Sequence, residues 1–81
     1  MDMASDFEIN QYLQAELERR GRAEVSAVEA AKWLDAGGRL RDSKDRPGRE
    51  LRRLLRNHKI IGARREMNNR WFIDRQSGGA G

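Results

Sequence analysis

The 81-residue sequence predicts a mainly α fold closed by a C-terminal β-hairpin, and three observations carry that expectation. Ser5-Asp6-Phe7-Glu8 and Ser26-Ala27-Val28-Glu29 both have the Ser-x-x-Glu spacing of a capping box, in which the hydroxyl and the carboxylate each satisfy a free backbone N–H at a helix start. RPGRELRRLLRN, residues 46 to 57, sets three leucines at helical spacing among five arginines. IIGARREMNNRWFIDR, residues 60 to 75, then turns to β-branched and aromatic residues on either side of Asn68-Asn69, a pair that tolerates positive φ.

Each element follows from local signals. In the first helix, about 6–20, Ile9, Tyr12, Leu13 and Leu17 recur at spacings of three and four, Arg19 and Arg20 suit a helix C-terminus, and Gly21 stops it. Val25 marks either a brief extended segment or a hydrophobic staple ahead of the second helix. That helix, AVEAAKWLDA at about 27–36, turns Val28, Ala31 and Leu34 inward with Trp33 flanking them, and Gly37-Gly38 ends it. The third is expected over about 47–58, with Asp45 or Arg46 as its cap and Pro47 at its first position, where a missing N–H costs nothing. In the hairpin, about 60–75, placing Ile61, Ala63, Trp71 and Ile73 on one face requires Ala63 opposite Ile73 and Glu66 opposite Arg70, with Met67-Asn68-Asn69 as a three-residue loop. Residues 6–75 are thus expected as one domain, between a disordered N-terminus (1–5) and a flexible tail (76–81).

Composition excludes several function classes. The sequence has no cysteine, which removes disulfides and thiolate metal sites and suits a reducing, cytoplasmic setting. Its apolar runs are too short for a membrane span, so no membrane partner is expected. His58 is the single histidine and falls on the predicted apolar face of the third helix, where a core histidine is expected rather than a general base or a metal ligand. No catalytic constellation or phosphate-loop motif is recognisable, so neither enzymatic activity nor a metal or cofactor is expected.

Charge points to a partner. Residues 1–40 hold five basic and eight acidic residues, net −3, whereas residues 41–81 hold twelve and five, net +7. At about 100° per residue, Leu54, Leu55 and His58 lie within about 60° of Leu51, while Arg46, Arg49, Arg53 and Arg56 lie about 140–220° away and Arg52 about 100°. Glu50 is the only acid between Arg46 and Lys59, so the i to i+4 pairing that neutralises a solvated helix face is almost absent. Arginine also forms bidentate contacts to phosphate and guanine that lysine does not. The expected partner is nucleic acid.

The order helix, extended piece, helix, basic helix, hairpin resembles a winged helix-turn-helix. VSAVEAAKWL (25–34), LRRLLRNHKIIGARR (51–65) and RWFIDR (70–75) resemble the excisionase-type and mercury-regulator-type bacterial domains of that class. The resemblance implies double-stranded DNA as partner and a role as a bacterial or phage transcriptional regulator or accessory factor. It assigns the recognition helix to Arg46, Arg49, Arg52, Arg53 and Arg56, and the wing to Arg64, Arg65 and Arg70, with Asn57, Lys59 and Asn68 as supplementary contacts. It also implies that Trp71 packs against the helices. The competing expectation is a winged-helix protein-interaction module without DNA binding, in which Phe7, Ile9 and Tyr12 of the first helix present an apolar surface to a second copy or another protein.

Overall fold

The computed structural model describes residues 5–41, 45, 46 and 48–76. Along the chain run α1 (Asp6–Arg19), β1 (Glu24–Ser26), α2 (Ala27–Ala36), α3 (Arg49–Arg56), β2 (Ala63–Arg65) and β3 (Trp71–Asp74). The fold is mixed α/β, with three helices and a three-stranded antiparallel sheet in the order β1-β3-β2. This corrects the expectation of a mainly α chain with a purely C-terminal hairpin, because the segment around Val25 pairs with β3 and makes it the central strand. Val25 and Ala63 both sit opposite Ile73, so one side of the sheet contributes apolar side chains to the helices.

The hairpin register is the expected one. Ala63 pairs with Ile73, the Glu66 N–H donates to the Arg70 carbonyl at 2.7 Å, and Asn69 takes the left-handed position of the three-residue loop with φ 64°. The inward face differs at its start. Ile60 is buried and Ile61 is 56% exposed, because Gly62 (φ 80°) turns the chain before the strand and breaks the two-residue alternation.

The core gathers Ile9, Leu13 and Leu17 of α1, Ala30, Ala31 and Leu34 of α2, Leu51 and Leu55 of α3, and Val25 and Ile73 of the sheet, with Leu40 and Ile60 from the connections. Each buried leucine or isoleucine contributes about 1.5–3 kcal/mol of transfer free energy. In α2 the inward positions go to Ala27, Ala30, Ala31 and Leu34, and Val28 is 40% exposed, which corrects its expected inward placement. Four elements pack on this helix, and alanine allows their close approach. A Cβ built on Gly48 would lie 3.6 Å from the Val28 Cα, which measures how near α2 and the start of α3 come.

Helix ends follow hydrogen-bonding rules, with one departure. Ser5 forms the full capping box with Glu8 and so belongs to the ordered fold, as does Gln76, whose N–H donates to Gln14 at 2.7 Å. Of the expected disordered N-terminus (1–5) and flexible tail (76–81), residues 1–4 and 77–81 lie outside the described residues. At Ser26 the box is half formed: its hydroxyl accepts the Glu29 N–H, but the Glu29 carboxylate pairs with Arg22 at 3.1 Å. α3 begins at Arg49 after Gly48 (φ 84°), two residues later than expected, and Pro47 lies outside the described residues.

All three helices close with the same pair of bonds, from the first two residues past the cap back into the last turn. The left-handed residue is Gly21 in α1 and Gly38 in α2, but His58 (φ 59°) in α3. His58 is exposed, which corrects its expected place on the apolar face: the helix ends at Arg56 and the chain turns left-handed before His58 can continue the leucine stripe. A side chain there costs about 1 kcal/mol relative to glycine.

Candidate nucleic-acid interface

Arginines in the first half of the chain are consumed by the fold. Arg19 and Arg20 both donate to Glu16, at 2.6 and 2.8 Å, and Arg22 pairs with Glu29. Arg20 also lies over the Trp33 ring at 4.6 Å. The guanidiniums hold the Glu16 and Glu29 carboxyls below the usual carboxylate range, through hydrogen bonds first and Coulomb attraction second. Depressed values in the folded state mean that both groups add stability above the unfolded carboxylate range, and that this is lost as pH falls through their folded values.

α3 differs. Leu51 and Leu55 are fully buried and Leu54 half-buried, which turns Arg49, Arg53 and Arg56 to solvent and leaves Arg52 at the boundary. Arg53 pairs with Glu50 at 3.0 Å across an exposed i,i+3 spacing. Arg49 and Arg56 have no carboxylate partner among the described residues. Arg46, exposed ahead of the helix, and Arg52 have partners within the chain.

Strand alternation divides the hairpin arginines. Arg65 lies opposite Trp71 and on its side of the sheet, with the guanidinium 5.8 Å from the ring centroid. Arg64 pairs with Phe72 on the other side, where it donates to Asp74 at 3.0 Å and to Glu24 and Glu66, with its guanidinium 5.0 Å from the Phe72 ring. Three carboxylates around one guanidinium make Arg64 a cross-strand tie, and it is set apart from the other wing candidates. Arg70, at the loop, lies 5.8 Å from the Phe72 ring.

The helix and hairpin arginines meet on either side of Trp71. A cavity of about 560 Å³ is lined by Leu55, Arg56 and His58 of α3 and its turn, by Ile60, Ala63, Arg64 and Arg65, and by Trp71. A smaller one of about 230 Å³ is lined by Ser26, Ala27, Val28, Arg52, Asn69, Arg70 and Trp71. Trp71 is half-buried against the core, as expected, and is also the ridge between the two cavities. The fold therefore joins Arg56 with Arg65 and Arg52 with Arg70, while no carboxylate among the described residues lines either cavity. Asn57, Lys59 and Asn68 are exposed and line neither: Asn57 caps α3, the Lys59 carbonyl accepts from Asn10 at 2.9 Å, and the Asn68 side chain accepts the Arg70 N–H at 3.3 Å.

Two residues absent from the sequence expectations set the hairpin's position. Asn10, buried on α1, donates to the Asp6 and Lys59 carbonyls and accepts the Ile61 N–H at 2.8 Å. Gln14, one turn on, donates to the Asp74 carbonyl at 3.2 Å and accepts from Gln76. The available signal was an amide at each of two i,i+4 positions beside the Ile9, Leu13, Leu17 stripe; asparagine is a poor helix former that needs a reason to sit mid-helix. The expected apolar surface on α1 is not formed, because Ile9 is buried and Tyr12 is half-buried with Arg39 5.1 Å over its ring. Phe7 alone of the three is exposed, and single exposed apolar residues are ordinary. No helix among the described residues is long and apolar enough to cross a membrane.

No family model, curated protein or solved structure matches the chain.

Proposed function

We propose that this chain is a winged helix-turn-helix that binds double-stranded DNA as a transcriptional regulator or accessory factor, with α3 in the major groove and the β2–β3 hairpin as the wing along adjacent backbone. The observation that supports this reading best is the convergence of α3 and hairpin arginines on the two cavities flanking Trp71, with no carboxylate among the described residues lining either. A solvated charge stripe needs no such convergence, and Arg56, Arg65 and Arg70 contrast with Arg19, Arg20 and Arg22, each of which is matched to an acid.

Arg49, Arg53, Arg56, Arg65 and Arg70 are the phosphate and base-edge contacts of this reading. The Arg53–Glu50 pair is no obstacle, since exposed pairs of this kind contribute at most about 1 kcal/mol. Four to five neutralised phosphates give a plot of log K against log salt a slope of about −3.6 to −4.5. Fluorescence anisotropy with a mixed-sequence duplex measures it, and a slope near zero removes DNA as the partner. An accompanying NMR titration locates the surface: shifts confined to α1, or none at low salt, overturn the reading, whereas shifts across α3 and the hairpin support it.

A further inference from the structure

His58 occupies a conformation that folding alone would give to glycine. The equivalent positions of α1 and α2 are Gly21 and Gly38, with the same closing bonds and nearly the same φ. The imidazole returns nothing visible to the fold, since it is exposed and makes no side-chain hydrogen bond among the described residues. An unfavourable backbone held in place beside a cavity is a reason to look for function. His58 stands on the wall of the larger cavity, between α3 and β2.

The surroundings of the ring define the ligand. The charged groups lining the cavity with it are Arg56 from α3 and Arg64 and Arg65 from β2, and Arg64 is already occupied by Glu24, Glu66 and Asp74. β3 contributes Trp71, and the connection before β2 contributes the apolar Ile60. A phosphoryl oxygen held by two guanidinium groups gains a third charged donor in the protonated imidazole.

We infer that this cavity is a proton-linked phosphate site, in which Arg56, Arg65 and protonated His58 hold one phosphoryl group. The inference deepens the DNA-binding reading and rests on it for the source of that group, a backbone phosphate next to the α3 contacts. Because His58 is the single histidine and the chain has no cysteine, the range from about pH 7 to pH 5.5 avoids the α-amino group and leaves the imidazole as the one side-chain type that ordinarily titrates there.

The test compares wild type with His58→Gly and His58→Asn; asparagine tolerates the left-handed conformation and carries no titratable group. Wild type binds a mixed-sequence duplex about tenfold more tightly at the acid end of that range, the worth of roughly one charged hydrogen bond. Both variants lose the pH dependence, and His58→Gly melts about 4–8 °C higher than wild type, as a relieved backbone requires. Variants that keep the wild-type pH dependence overturn the proposal. If the duplex is not bound at any pH, the DNA reading falls, and inorganic phosphate alone then decides the site. Movement of the His58 imidazole resonances at about pH 6, abolished by Arg56→Gln, supports it for a free phosphoryl ligand; an unmoved ring overturns it.

Discussion

Combining Arg56→Glu with Arg65→Glu lowers the affinity for mixed-sequence duplex DNA by about 100-fold, at about 1.5 kcal/mol for each charged contact removed. The two residues come from different elements, α3 and β2, yet line one cavity. Reversal at both sites takes away two donors and sets two carboxylates where phosphate is expected, so the loss falls on binding. The fold has little at stake. Arg56 is exposed without a carboxylate partner among the described residues, and Arg65 contributes a solvent-exposed cation–π contact with Trp71, worth about 0.5–1 kcal/mol. Anisotropy titration measures the affinity, and amide NMR spectra report the fold. A doubly reversed protein that binds within threefold of wild type would sink the proposed interface, and a collapsed spectrum would show that these arginines serve the core instead.

Asn10→Ala destabilises the domain by about 3 kcal/mol, with a fall in Tm of about 12–24 °C at 4–8 °C per kcal/mol for a domain of this size. Asn10 is buried and fully used, with both amide protons donated and its oxygen accepting. Alanine leaves the Lys59 carbonyl and the Ile61 N–H without their side-chain partner, and a backbone group left unsatisfied at a part-buried site costs about 1–3 kcal/mol. A domain of this size has a total stability of only about 4–12 kcal/mol, so the loss is large. The affected carbonyl and N–H lie between α3 and β2, and the change therefore also loosens the hairpin against the helix, seen as faster hydrogen exchange at Ile61. A fall in Tm below about 3 °C would show that water replaces the side chain.

The elements themselves were legible in the residues. Ser5, Glu8 and Gly21 bound α1 by hydrogen bonds to their own neighbours, and the Asn68-Asn69 loop was readable because three-residue hairpin loops demand a left-handed residue at one place. The leucine stripe and opposed arginines of α3 follow from helical period alone. The departures share another cause, competition from partners outside the local motif. Glu29 left its capping box for Arg22, seven residues back, Val28 gave up the inner face of α2 to alanines because four elements crowd that helix, and Arg64 is tied to Glu24, forty residues away, as well as to Glu66 and Asp74. No spacing along the chain encodes a contact forty residues away.

His58 shows the same division at one position. The helical count continued the stripe through it, since periodicity cannot see where a helix ends when no glycine marks the end. What residue order dictates is short-range: caps, turns, faces, and a basic second half set against an acidic first. Which arginines remain outward, which meet across Trp71, and how α1 holds the hairpin through Asn10 and Gln14 depend on long-range packing, because each is settled by a contest among partners that only the folded chain brings within a few ångströms.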